Sequence, residues 1–364
     1  MYKRLAYYFE IIFKFIFDII DPLISNKKYI VFSTRAGRDY ADNSKILFEE
    51  FLDNGIETVY FYTKKKSILK KIPKNGIYAY SFKGAYILLR AKILIFTHGS
   101  GDFFPYNPNQ HKNRKFINLF HAIGVKKVGF LNSKKNIEEV NKWDYFVVSS
   151  NFEANFIKEQ FQFNDEQIIT IGQPRNDKLA LSKKKTRNII LYAPTFRDDT
   201  LTQLFPFQDF NLKSLDEMLE VNNLEIMIRV HINDQIAYKN MAMFEDAKNI
   251  YFTGSDKIPT VNSILPEISM LISDYSSITL DFLLINRPIA YIPYDYERYN
   301  KTRGFSFNYH KYLAGPKITS QKEFEQFLTS SDAFSEKRKE LLKTFHQFQD
   351  GSITKRLFHF IQNL

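Results

Sequence analysis

His121 is the first residue with a clear chemical use. It follows the apolar run FINLF (116–120), and Gly124, Lys126 and Lys127 come directly after it. A histidine takes a proton near neutral pH. Lysines hold phosphate as point charges, and glycine lets backbone approach closely. From this motif alone, an ordinary loop histidine beside surface lysines reads equally well. His231 closes a second run, EIMIRV, with Arg229 two residues earlier on the same strand face. That pair suits a diphosphate whose leaving oxygen gains charge during transfer. A solvent-facing turn is the plainer reading. Arg197 lies in APTFRDD, after a third run. It can reach a phosphate bidentately, or pair with Asp198 or Asp199. Asp274, Ser276 and Ser277 separate the run MLIS from an apolar helical pattern. They read as N-caps and equally as an anion site at a helix start. Arg303 and Gly304 follow in PYDYERYNKTRGFSF. Arg175, in GQPRND, reads as structural, tying two halves of the chain together.

Composition narrows the chemistry. The chain has 364 residues, 44% hydrophobic and 25% charged, long enough for two full cores. It has no cysteine, which excludes a disulfide framework, a thiolate metal site, a cysteine nucleophile and an iron–sulfur cluster. His98, His111, His310, His346 and His359 are scattered, without metal-ligand spacing. Neither a metal nor a cofactor is expected. No GxGxxG, P-loop or GxSxG motif occurs, so dinucleotide, NTPase and hydrolase chemistry lose their best support. The net charge is +11, but residues 61–135 alone hold 16 Lys/Arg against one acid, Asp102, a balance of +15. Such a face suits a phosphate-rich substrate, an acidic membrane surface or nucleic acid. A solvated lysine-rich surface is the alternative.

The elements that position these residues are short apolar runs alternating with helical patterns. Strands are expected at 29–33, 57–62, 93–97, 116–120 and 145–149, then at 168–171, 188–192, 225–229, 270–273 and 289–292. That rhythm means βαβ units and mostly parallel sheets. The expected fold is α/β, with two Rossmann-like domains facing a cleft and ligands outside the strand C-termini. The domain boundaries read as 27–180 and 188–330, with SKKKTR (182–187) as linker and C-terminal helices over 331–364 that cross back to the first domain. Residues 1–26 form a separate amphipathic helix. In it Glu10, Lys14, Asp18 and Asp21 interrupt an apolar stretch at helical spacing. It is too charged to span a bilayer and lacks a signal-peptide cleavage site. A place in the membrane interface is favoured over packing on the protein, because lysines near an anionic leaflet add about 1 kcal/mol each.

The motifs FHAIGVKKVG, IGQPRND, LYAPTFRDD, RVH and LISDYSSITLDFLLINRPIAYIPYDYERYNKTRGFSF occur in this order. Together with VFSTRAGRDYADNSK near the start and DGSITKRLFHFI near the end, the set resembles the CDP-glycerol glycerophosphotransferase family of teichoic-acid and capsule synthesis. The resemblance implies a GT-B-like fold and CDP-glycerol as donor, bound mainly by the second domain. It implies a lipid-linked or polymeric anionic acceptor, release of CMP, and a peripheral place on the cytoplasmic face of the cell membrane. It carries the family's motif histidines to His121 and His231. Arg229, Asp274, Ser276, Ser277, Arg197 and Arg303 become donor-binding residues; Gly124, Lys126 and Lys127 become acceptor- or phosphate-binding residues. The family pattern reads His-Gly-Thr where this chain has His121-Ala122-Ile123, and His-Pro where it has His231-Ile232. Those departures point to a member with its own acceptor or polyol-phosphate donor. CDP-ribitol or a nucleotide sugar is the nearest alternative donor. A basic nucleic-acid-binding protein would explain the +15 segment but not the ordered strand-end motifs, and no nucleic acid is expected.

Overall fold

β-Branched and aromatic residues in runs of three to six make the strands, and parallel strands covered on both faces are apolar throughout. IILY (189–192), for example, is buried at every position. The computed structural model describes residues 14–103, 114–129, 143–182, 187–231, 234, 242–254, 257–258 and 260–364. His111, much of the expected linker and the first half of the expected N-terminal helix lie outside them.

The described strands form two sheets. The first holds β1 (Tyr29–Phe32), β2 (Val59–Thr63), β3 (Gly76–Tyr78), β4 (Ala91–Phe96), β5 (Lys115–Asn118), β6 (Tyr145–Val148) and β7 (Ile168–Thr170). Its order is β3-β2-β1-β4-β5-β6-β7, and every pairing is parallel. The second holds β8 (Ile189–Tyr192), β9 (Glu225–Ile228), β10 (Ile250–Phe252), β11 (Met270–Ser273) and β12 (Ile289–Tyr291). Its order is β10-β9-β8-β11-β12, again all parallel. β3 and β10, at sheet edges with three residues each, carry too little pattern to be read from sequence. In each sheet the direction of strand addition reverses once, between β1 and β4 and between β8 and β11. Outside the strand C-termini at such a reversal, doubly wound sheets leave a crevice for ligands.

The chain divides into two units, residues 1–121, 129–177 and 350–364 in one, 122–128 and 178–349 in the other. In the first, Phe32, Phe48, Phe51 and Phe61 are fully buried and pack edge to face. The terminal helix Ile353–Gln362 joins this core through Phe358, 4.7 Å from Phe51. Asp177 caps that helix, accepting the Ile353 and Thr354 N–H groups at 2.9 and 2.8 Å. In the second unit, Ile190, Tyr192, Phe205, Leu219, Ile228 and Phe324 share one core.

Residues 14–20 are helical, and Lys14 pairs with Asp18 at 2.6 Å. Asp21 does not share their solvated face. It is 1% exposed, gripped bidentately by Arg114 (2.6 and 2.7 Å) and by Lys27 (3.0 Å). Burial opposes its charge, but the two cations hold the carboxyl below its ordinary value. The segment is thereby anchored to its unit, and Phe15, Ile16, Ile19 and Leu23 are left exposed.

Candidate active site

Both polar clusters lie where the sheets reverse. In the first unit the loops after β1 and β4 meet through Thr34 and Thr97, whose hydroxyls are 2.7 Å apart. Buried Asp102 joins the same loops, accepting the Ala36, Thr97 and His98 N–H groups at 2.5, 3.1 and 3.4 Å. Burial pushes its carboxyl up to about 6. Backbone strain gathers here. Arg35, Ala36, Asp42 and Phe120 are non-glycine residues at φ 47°, 56°, 63° and 53°. Each such conformation costs about 1–3 kcal/mol and persists only where its surroundings enforce it. The surroundings are explicit for Phe120. Its N–H donates to Asn118 Oδ1 (2.8 Å), and its carbonyl accepts from Asn43 Nδ2 (2.9 Å).

That twist presents His121. Its Nδ1 lies 3.2 Å from the Thr97 carbonyl. A carbonyl only accepts, so Nδ1 carries the proton and Nε2 keeps the basic lone pair. Its own carbonyl accepts from Arg175, which also pairs with Asp42 at 3.3 Å. Arg175 thus supports the His121 backbone within this unit. Burial lowers the imidazole below the ordinary histidine value; the Thr97 carbonyl and Asp42 oppose the shift, and Arg175 and Arg35 add to it. The ring is a neutral base at neutral pH. His98, one of the histidines that look scattered in sequence, stacks on it at 4.1 Å and 4°.

In the second unit the loops after β8 and β11 are locked by Arg197. Sequence offers Asp198 or Asp199 as its partner. The structure pairs it instead with Asp295 (2.9 and 2.7 Å) and Asp274 (2.7 Å). Another of its N–H groups goes to the Thr195 carbonyl. Burial works against its charge, and Asp274 and Asp295 outweigh that. Tyr275, Tyr294 and Tyr299 surround the guanidinium at 5.1, 5.0 and 5.2 Å. Asp274 also accepts the Thr195 and Tyr275 N–H groups at 2.8 and 2.6 Å. Arg197 and Asp274 are therefore occupied within the fold. Asp198 goes to Arg303 (3.2 Å) and Asp199 to Arg298 (2.8 Å).

Ser276 and Ser277 are half-buried. Neither is an ordinary N-cap. Ser277 already has helical backbone angles and makes no side-chain cap bond, and Ser276 Oγ takes the Ile278 N–H only at 3.4 Å. The helix they precede is short, Ile278–Phe282. Any anion there would rest on the two hydroxyls more than on a helix dipole. Residues 122–128, which follow His121 in the chain, group with the second unit. Lys126 bridges Phe305, and Ser306 binds the Val125 and Lys126 carbonyls, both at 2.9 Å. The Lys126 ammonium lies 5.9 Å from the Tyr299 ring. Burial pushes it down to about 8; Arg303 and Arg197 add to this, and Asp274 opposes it. Lys127 is exposed, and Gly124 is buried. Gly304 is at φ +67°, and a Cβ there would meet the Lys127 side chain at 2.9 Å. Arg229 donates to the Gly254 and Ile258 carbonyls at 3.2 and 2.6 Å. His231 is exposed, with the Phe196 ring 5.3 Å away. The structure therefore brings Lys126 to Arg303, Asp274 and Arg197, and ties Arg229 to the loop after β10. The sequence reading missed His98, Asn43, Asp295, Tyr275 and Tyr299. Tyr275, Asp295, Tyr299 and Asn43 lie within the quoted motifs without a role read for them, and Asp102 stood out as the single acid in the basic segment.

Two doubly wound parallel units with polar clusters at their reversal points define a GT-B-like α/β protein. The chain belongs to the CDP-glycerol:poly(glycerophosphate) glycerophosphotransferase family, whose model matches residues 15–363. A teichoic acid glycerol-phosphate transferase of Staphylococcus aureus is 24% identical, over 92% of each chain. A teichoic acid ribitol-phosphate polymerase, TarK, of the same organism is 27% identical, over 95% of this chain and 71% of its own. The solved structure of the wall teichoic acid polymerase TagF, in a histidine-to-alanine variant, shares the fold, with a TM-score of 0.81 at 21% identity over 99% of this chain and 95% of that one. The fold class and the family expected from the motifs are both borne out. The enzyme class, a glycerophosphotransferase, follows from that membership.

Proposed function

We propose that this protein transfers glycerol phosphate from CDP-glycerol to a hydroxyl of a lipid-linked or polymeric anionic acceptor, in cell-surface polymer synthesis. The observation that carries the reading is the family match through both switch-point clusters, residues 15–363. The acceptor oxygen bonds to the β-phosphorus, the bond from that phosphorus to the CMP oxygen breaks, and CMP leaves. The hydroxyl proton goes to His121 Nε2. Lys126, Arg303, Ser276, Ser277 and His231 bind donor phosphates, with Lys127 and Gly124 beside them. Arg197 and Asp274 hold the loops that carry these groups, and Arg229 holds the neighbouring loop after β10. Positioning and electrostatics do most of the work in phosphoryl transfer, so each of these is a binder first.

The test is CMP release from CDP-glycerol, CDP-ribitol and a UDP-sugar, with membrane extract as acceptor. Release from CDP-glycerol is expected. Release from CDP-ribitol alone would move the enzyme to the sister reaction, which the 27% identity to TarK keeps as the second reading.

The protein works at the cytoplasmic face of the membrane, held peripherally. No helix among the described residues is long and apolar enough to cross a bilayer. Phe15, Ile16, Ile19 and Leu23 are 66%, 48%, 54% and 75% exposed on the anchored N-terminal segment. A large apolar side chain moved from water into lipid contributes about 1.5–3 kcal/mol. Ile19→Glu should therefore lower binding to phosphatidylglycerol-containing vesicles by about tenfold or more. Equal flotation of variant and wild type would remove this segment from the membrane contact.

A further inference from the structure

We infer that His98 is a positioning residue for His121, a second imidazole whose face fixes the plane of the first and shields it from water. The inference rests on the reading of His121 as the base.

The geometry carries it. One hydrogen bond, from Nδ1 to the Thr97 carbonyl, and a tilted contact with the Phe120 ring at 4.7 Å still leave the His121 ring some freedom to turn. The His98 ring removes the freedom: the two planes are within 4° at a centroid separation of 4.1 Å. His98 is itself fixed, with its Nδ1 2.8 Å from Thr97 Oγ1, and that oxygen is bonded to Thr34 at 2.7 Å. Thr97 thus addresses both rings, one through its carbonyl and one through its hydroxyl. Asp102 fixes the Thr97 and His98 backbone from below. The whole device sits at the β1/β4 reversal, on residues whose strained neighbours show that the fold enforces this arrangement.

Three charged groups among the described residues act on His121. Asp42 favours its cation, from the start of helix Asp42–Asp53; Arg175, from the turn after β7, and Arg35, from the loop after β1, disfavour it. His98 covers a face of the ring, so it keeps water away and cannot carry a positive charge beside a second one. The surrounding protein, then His121 and Arg35, keep His98 below its ordinary value as well, although it remains partly open to solvent. Two neutral rings are the stable pair.

The sign follows. His121 is active when neutral, so the rate falls as pH drops through its own value, which lies below the ordinary 6.5. Removing the His98 ring admits water to that face, so the burial that lowers His121 weakens and its value rises. In the full-length protein, with CDP-glycerol and membrane extract, His98→Ala should move the acid limb of kcat/KM upward by about one pH unit. Its kcat should fall by about ten- to a hundredfold through loss of orientation. His98→Phe keeps a planar stacking face that cannot titrate. It should stay within about threefold of wild type, with the limb near its original place. Since His98 is exposed, truncation leaves no core cavity, and an unchanged melting temperature is the expected control. An unmoved limb in His98→Ala overturns the inference. So does an equal loss in His98→Phe, which would put the work on a ring nitrogen. Undiminished turnover in His121→Asn withdraws the base and the inference together, whereas a large loss there with an unmoved His98→Ala limb withdraws the inference alone.

Discussion

His121→Asn should lower kcat for CMP release by about 10²–10⁴, the range for a lost general base. Asparagine is the informative replacement. Its Nδ2 can still donate to the Thr97 carbonyl, as His121 Nδ1 does at 3.2 Å, but nothing replaces the Nε2 lone pair. The donor KM should change little, because the phosphate-binding groups belong to the second unit. The acid limb of the wild-type profile should vanish with the base. Wild-type dependence is set by a ring that burial holds below the ordinary histidine value, so activity is full at neutral pH and fades on acidification. A variant with a normal rate, or with a reduced rate that still shows the same acid limb, would assign the proton to another group.

The strands were legible because parallel sheets bury both faces, so their strands read as unbroken apolar runs; MLIS (270–273) is one, and its span matches β11. Strand-end position then picked out His121 and Asp274, since doubly wound sheets place chemistry there. Partnerships across the sheet were not legible. His98 and His121 follow adjacent strands, β4 and β5, yet 17 residues separate His98 from the run FINLF. Periodicity along the chain says nothing about such neighbours. Asp295 is 98 residues from Arg197, while Asp198 and Asp199 stand beside it in sequence. Proximity in the chain suggested the wrong partner because both neighbours are taken by other arginines, Asp198 by Arg303 and Asp199 by Arg298. The motifs of a family fix which residues matter, and the backbone strain at Phe120 and Asp42 shows where the fold holds them.

Arg197 and Arg303 look alike in sequence, two loop arginines after strands, and they should fail in different ways. Arg197 is 3% exposed and spends Nε, Nη1 and Nη2 on two aspartates and a carbonyl. Arg197→Ala would strand Asp274 and Asp295, whose side chains are 2% and 13% exposed. Breaking one side of such a buried pair costs about 3–5 kcal/mol. For a unit of this size that is a fall in melting temperature on the order of 10 °C. Arg197→Lys should recover little, since an ammonium cannot make the forked contact to Asp295. Arg303 is 34% exposed and its partner Asp198 60%. A pair so open to water is worth at most about 1 kcal/mol. Arg303→Ala should therefore melt close to wild type while raising the KM for CDP-glycerol. Thermal melts and donor titrations of the two variants separate the roles. A wild-type melting temperature for Arg197→Ala would show that its aspartates find other partners and that the arginine is free to bind substrate. An unchanged KM for Arg303→Ala would take that residue out of the donor site.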